Sequence, residues 1–265
     1  MNKQPINMIG GGFQHTLSTN TFEPKYIEWV KGNHTAPISI YIDNALRSIS
    51  TPSTKNYGWL CESKTINTGL YNWCVNNIEH LKQNFISVFT HDVGLIKVSD
   101  IFVLTLCSAK SFLPSGKIYN KTKLVSMIAS NKVMCTEHKI RQQMINKFSG
   151  DCDHYGRGFN PIVDKGDGLR DYCFSFAMEN ATYANMFTEK ITDCFMYGTI
   201  PIYYGIKNIG DFFNQDGIIV LDDDFKIEDL TTDLYYSKLG AVRENYNISI
   251  NMMVAEDYIY ENFIK

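Results

Sequence analysis

The chain is most informative at first through what it lacks. Seven cysteines are scattered along it (Cys61, Cys74, Cys107, Cys135, Cys152, Cys173 and Cys194), an odd number with no Cys-x-x-Cys pair. That spacing argues against a zinc ribbon and against a disulfide framework, and we read it as a reducing, cytoplasmic setting. No apolar run approaches the ~20 residues needed to cross a bilayer, and the start, Met1-Asn2-Lys3-Gln4-Pro5, has no apolar signal region. A membrane span is therefore not expected. There is also no basic stripe: 25 Lys and Arg are dispersed among 28 Asp and Glu, for a formal net charge of −3. Nucleic acid and anionic membrane surfaces are poor partners for such a chain. What is present is apolar material, 44% hydrophobic residues and 13% aromatic over 265 positions, enough to bury one large or two modest cores.

Short apolar runs at residues 6–9, 38–42, 57–61, 85–89 and 101–107 read as buried strands. Leu70, Trp73, Cys74, Ile78 and Leu81 recur at helical spacing between the third and fourth. Pro24 followed by Tyr26, Ile27, Trp29 and Val30 predicts a further helix with proline in its first turn. This alternation is that of an α/β fold. Residues 111–117 and 120–123 have linker composition, and a second α/β series follows. It opens with a strand at 124–129 and a helix whose cap is Thr136 and whose apolar face is Ile140, Met144, Ile145 and Phe148.

The stretch from 152 to 221 carries the chemistry. Residues 171–178 alternate large and small side chains, the period of a strand with one bulky face, and end in Glu179-Asn180. Polar groups at the carboxyl end of a strand lie where open α/β sheets bind ligands. Thr188 then caps a helix with Ile191, Cys194 and Phe195 on its apolar face and Gly198 just past its end. The free N–H groups at a helix start favour an anion. Lys190 opposes the helix dipole there, which a bound phosphate would explain.

The run FSFAMEN-ATYANM-FTEK-ITDCFMYGTIPIYYG (residues 174–205) resembles the signature of the α1,3-fucosyltransferases, glycosyltransferase family ten. In that family a strand ending in F-E-N leads to T-E-K, a helix and a G-x-[VI]-P-[VI] strand. Upstream, Asp153-His154-Tyr155-Gly156-Arg157-Gly158 is similar to the family's V-D-x-[FY]-G-R-G element. Downstream, residues 217–221 with Asp222, Asp223, Asp224 and Phe225 resemble its strand ending in D-D-F.

The resemblance implies a GT-B-like fold, two Rossmann-like α/β domains facing a central cleft. An acceptor-side domain is expected at 1–116, a nucleotide-sugar domain at 117–245, and a C-terminal helix at 246–265 returning to the first domain. It implies inverting transfer of fucose from GDP-fucose to a glycan or other acceptor hydroxyl, without metal or separate cofactor. Arg157 and Lys190 match the diphosphate-contacting cations and Glu189 the ribose-facing carboxylate, with Glu179 and Asn180 lining the donor cleft. The family's catalytic base, a Glu after a hydrophobic strand, corresponds best to Glu62 in Gly58-Trp59-Leu60-Cys61-Glu62; Asp92 and His91 are the next candidates. One departure is Met186, where the family carries Tyr two residues before the Thr of T-E-K.

Plainer readings stand beside these. Lys190 could be a surface lysine, Arg157 a turn residue paired with a carboxylate, Glu189 a favourable first-turn acid, Asn180 a turn former and Glu62 a surface acid. The three aspartates at 222–224 suit a divalent ion or a solvated strand-end loop, and Cys152 with His154 is only half of a zinc site. Residues 10–12, Gly-Gly-Gly, are half of a dinucleotide fingerprint or a βα loop lining the cleft, where His15 is a core or surface histidine or touches acceptor. The open alternatives in function are another nucleotide sugar, for which Met186 is the hint, and an inactive relative that binds nucleotide sugar or glycan.

Overall fold

The computed structural model describes residues 2–13, 16–49, 55–106, 109–113, 116–131, 133 and 135–265. The chain forms two compact units: Met1–Ala109 with Ala184–Met186 and Met253–Lys265, and Lys110–Tyr183 with Phe187–Met252. The first crossing thus comes at Ala109 rather than at 116, and the last at Met252 rather than at 245. The later exit follows from a helix that runs unbroken from Leu239 to Asn251.

In the first unit, strands β1 (Gln4–Ile9), β2 (Ile27–Val30), β3 (Ile38–Ile42), β4 (Lys55–Trp59), β5 (Val88–Thr90) and β6 (Phe102–Leu104) form one parallel sheet. Their order is β2-β1-β3-β4-β5-β6. Successive residues of β3 point to opposite faces, and both faces are covered. Ile38, Ile40 and Ile42 join Ile6, Met8, Trp59 and Phe89 on one side, while Tyr41 joins Leu46, Leu70, Cys74 and Val88 on the other. A strand covered twice reads as a continuous apolar run, which is why these segments were legible. Each fully buried Ile or Phe contributes about 1.5–3 kcal/mol by removal from water.

The segment after Pro24 is a strand, not a helix. Ile27, Trp29 and Val30 are β-branched or aromatic, and β2 pairs in register with Gln4 to Asn7 of β1. The backbone leading into it is held from outside: Asp257 accepts hydrogen bonds from the N–H groups of Lys25 (2.8 Å) and Tyr26 (3.1 Å). The expected helix around 70–81 is two, α1 (Thr68–Asn76) and α2 (Ile78–Asn84), broken at Asn77. Helix α3 is Val93–Val98, capped by Asp92 through Leu95 N–H. His15 and Cys107 lie outside the described residues.

In the second unit, β7 (Lys123–Ile128), β8 (Asp153–Tyr155), β9 (Tyr172–Met178), β10 (Ile200–Tyr204) and β11 (Ile219–Val220) form a parallel sheet ordered β11-β10-β9-β7-β8. Central β9 is buried at all seven positions. Helices α4 (Thr136–Lys147), α5 (Glu189–Met196), α6 (Thr232–Ser237) and α7 (Leu239–Asn251) accompany it. Cys135, not Thr136, occupies the N-cap of α4. Helix α8 (Ala255–Ile259) and a last turn, Tyr260–Ile264, belong to the first unit. There Glu256 accepts from Thr19 N (2.5 Å) and Thr19 Oγ1 (3.0 Å).

Both sheets share one logic. The first strand of each has the second on one side and the third on the other, so the order reverses beside it. Ligand crevices form at the carboxyl ends of the strands at such a switch point.

Candidate active site

In the second unit the reversal lies between β9 and β8, on either side of β7. A cavity of about 300 Å³ opens at the carboxyl ends of these strands, lined by residues 127–130 at the end of β7, Gly156 and Arg157 after β8, residues 175–178 of β9, and the first turns of α5. Its charged wall consists of Arg141, Arg157, Lys165, Glu189, Lys190 and Asp193.

The Gly-Arg-Gly loop is shaped by close approach to β7. Gly156 has φ +108°, and a Cβ there would lie 2.2 Å from the carbonyl oxygen of Ala129. No larger residue fits, because both the left-handed backbone and the contact forbid it. The loop then hydrogen-bonds along the strand end, Ala129 N–H to Tyr155 O and Asn131 N–H to Arg157 O. Arg157 is thereby held at the cavity mouth with an exposed side chain.

Helix α5 begins at Glu189, and Thr188 is its N-cap residue, but the Thr188 side chain makes no capping bond. Instead its Oγ1 donates to Glu179 Oε2 (2.8 Å) and accepts from Lys190 Nζ (2.7 Å). Glu179 also accepts from Thr188 N–H and pairs with Lys190 at 3.2 Å. The positive charge of Lys190 at the helix start is therefore already offset by a carboxylate that is 1% exposed; a phosphate is not required to explain it. Burial would lower the Lys190 pKa, but Glu179 and Glu189 outweigh it and hold the ammonium charged. Past the helix, Gly198 (φ +65°) supplies the left-handed C′ residue.

Three residues that sequence reasoning passed over, Lys165, Asp193 and Arg141, complete the wall. Lys165, on a short 3-10 turn (Lys165–Gly168), pairs with Asp193 at 2.7 Å and Glu189 at 3.5 Å. Burial pushes the Asp193 carboxyl up, with Lys165 opposing it, whereas Glu189 ends below its ordinary value because Lys190 and Lys165 overcome its burial. Asp193 falls near Glu189 on the face of α5 opposite Ile191, Cys194 and Phe195, an ordinary place for a charge, so its spacing gave no signal. Arg141 sits among Ile140, Met144 and Ile145 on α4, and Lys165 had no local signal at all.

Of the five donor-side residues expected, Arg157, Glu189 and Lys190 share the cavity. Glu179 stands behind it as the partner of Lys190, and Asn180 accepts from His138 Nε2 at 2.9 Å, joining the end of β9 to α4. Neither is among the residues lining the cavity. Glu62 is in the first unit, exposed, just past β4. His91 is buried beside Tyr71, its pKa lowered to about 4 by burial, and Asp92 caps α3. Asp222 closes a turn by accepting from Asp224 N–H. Cys152 Sγ lies 3.2 Å from His154 Nε2, with its thiol pushed up to about 12 by burial.

The cavity wall thus sets four cationic groups and a helix N-terminus against two carboxylates, a pocket suited to an anion. Two parallel sheets of this topology define a GT-B-type α/β protein. A crystal structure of α1,3-fucosyltransferase with GDP-fucose superposes with a TM-score of 0.54 and 14% identity, over 94% of this chain and 82% of that one. TarM superposes at 0.51 and 12%, over 84% of this chain and 53% of that one. At such identities the likeness is one of fold. Sequence points the same way: residues 118–248 match the model of glycosyltransferase family 10 (fucosyltransferase) C-term. The α-(1,3)-fucosyltransferase FucT of Helicobacter pylori is 30% identical over 109 residues, 40% of this chain and 22% of that protein's length.

Proposed function

We propose that this protein is an inverting glycosyltransferase that moves fucose from GDP-fucose to the hydroxyl of a glycan acceptor. The observation that carries the reading is the cation-walled cavity at the strand reversal of a domain that matches the family 10 model. In this mechanism Arg157 and Lys190 face the donor diphosphate and Glu189 the ribose. As the sugar–phosphate bond breaks, negative charge builds on the leaving diphosphate, and fixed cations lower the barrier by stabilising that charge. Lys190 is pinned by Glu179 and Thr188 and so needs no reorganisation, and the backbone of Arg157 is fixed by a loop bonded to β7. They take the role a metal ion plays elsewhere, so neither metal nor separate cofactor enters the proposal. Glu62 is assigned as the base that removes the proton from the attacking hydroxyl, a task suited to an exposed carboxylate.

The proposal extends to a cytoplasmic location. It is supported by the free thiols of Cys61, Cys74, Cys135, Cys152, Cys173 and Cys194. Among the described residues no helix is long and apolar enough to cross a membrane. A second reading, another nucleotide sugar, is favoured by Met186 in place of the family's Tyr. Thermal unfolding against a nucleotide panel separates the two, since a ligand at a hundred times its Kd stabilises by about 2.7 kcal/mol. GDP and GDP-fucose should raise Tm above the UDP, CMP and ADP forms. A larger shift with UDP-sugars would establish the second reading, and no shift with any nucleotide would overturn both.

A further inference from the structure

Glu62 is exposed, yet the peptide that carries it is anchored on both sides. Its N–H donates to Asp43 Oδ1 (3.2 Å), as does the N–H of Cys61 (2.9 Å). Its carbonyl oxygen accepts from the hydroxyl of buried Tyr71 (2.8 Å). Asp43 follows β3 directly, at the carboxyl end of a strand beside the reversal of the first sheet. It is one of two non-glycine residues with positive φ among the described residues, at +49°. L-residues avoid this region, although aspartate and asparagine enter it most readily. A strained backbone that aims one carboxylate at two successive amides is an arrangement that packing alone does not call for.

We propose that Asp43 is a positioning residue for the base: its Oδ1 fixes the Cys61–Glu62 peptides, and so the origin from which the Glu62 side chain reaches the reacting hydroxyl. The inference rests on the reading of Glu62 given above. The oxygen, not the charge, does the positioning, because a carbonyl oxygen accepts the same two bonds. Asp43 and Glu62 are nonetheless close enough to repel, and Arg47 and Cys74 lie in the same electrostatic neighbourhood.

Two substitutions separate the acceptor from the backbone. Asp43→Asn keeps both an acceptor oxygen and tolerance of positive φ, whereas Asp43→Gly keeps the backbone and deletes the acceptor. The assay is GDP release from GDP-fucose with a glycan acceptor, water serving where no glycan does. Amide hydrogen exchange at Cys61 and Glu62 and the affinity for GDP are measured on the same samples. Asp43→Gly should lose kcat by roughly ten- to a hundredfold, the scale of a lost charge-assisted bond, with KM and GDP affinity within about twofold of wild type. Exchange at both amides should speed up by a similar factor. Asp43→Asn should recover most of the rate and of the protection. In a Glu62→Gln background Asp43→Gly should cost almost nothing further, because two residues acting through one group are not additive. If Glu62→Gln is slow but Asp43→Gly adds its full loss on top, the positioning role is wrong while the base assignment survives. If Glu62→Gln turns over like wild type, the base assignment fails and takes this inference with it. Wild-type kcat in Asp43→Gly with unprotected amides would also overturn it.

Discussion

The two sheets are built to one plan and charged in opposite ways. Each is parallel, and each reverses its strand order beside its first strand. At the reversal of the second sheet four cations meet the start of α5. At that of the first, the glycines after β1 meet Asp43, whose carboxylate holds the peptide of Glu62. Topology therefore marks where a site can form, and the side chains decide what it holds. The reversal of the second sheet gathers cations, whereas that of the first gathers carboxylates.

The contrast breaks first at Glu62. Glu62→Gln keeps size and removes basicity, so kcat should fall by roughly 10²–10⁴ while GDP affinity, assigned above to residues of the other unit, should stay near wild type. Steady-state rates and calorimetric titration with GDP report both, and turnover within a few-fold of wild type would move the base elsewhere.

Within the second unit, Lys190→Ala and Arg157→Ala should each weaken GDP binding by roughly ten- to a hundredfold, the value of a charge-assisted contact of about 1.5–3 kcal/mol. The two should then part company in stability. Removing Lys190 deprives Glu179, 1% exposed, of its cation and should lower Tm. Removing the exposed Arg157 should leave Tm within about a degree. Equal Tm losses would mean that Glu179 does not depend on Lys190.

A chelator should have still less effect. Transfer measured in EDTA is expected to match the untreated enzyme; loss of activity restored by Mn²⁺ or Mg²⁺ would return attention to Asp222, Asp223 and Asp224.

A further expectation concerns stability against pH. Burial raises the Asp43 carboxyl to about 6, above its unfolded value of 3.8. Between those values the folded chain holds a proton that the unfolded chain has released, so stability contributed by this group falls as pH rises through the window. Asp43→Asn should remove that slope, leaving Tm above wild type at pH 7 by on the order of a few degrees. Parallel Tm–pH curves from 4 to 7 would show that Asp43 is ionised throughout.

Much of the second unit was legible in the sequence for a local reason. The alternation in β9, the helix starting at Glu189, Gly198 behind it and the glycines around Arg157 all express the geometry of a few consecutive residues. Three of the residues so singled out, Arg157, Glu189 and Lys190, line one cavity. Residues 27–30 were misread because four residues carry too little periodicity to distinguish a strand from a helical turn. Their pairing with β1 and the anchoring of Lys25 and Tyr26 by Asp257 come from more than twenty and more than two hundred residues away. A separation of more than twenty residues likewise hid Lys165, whose partners are on α5, and the pairing of Lys190 with Glu179 depends on how the loop between β9 and α5 folds back. By itself, then, the sequence determined the α/β character, the family motif and the side chains on offer, since propensity, periodicity and turn chemistry act over one or two turns of chain. Only the tertiary structure decided which charges neutralise one another and which face the cavity, because parallel strands meet only through long connections and a charge finds its partner only after those strands are in place.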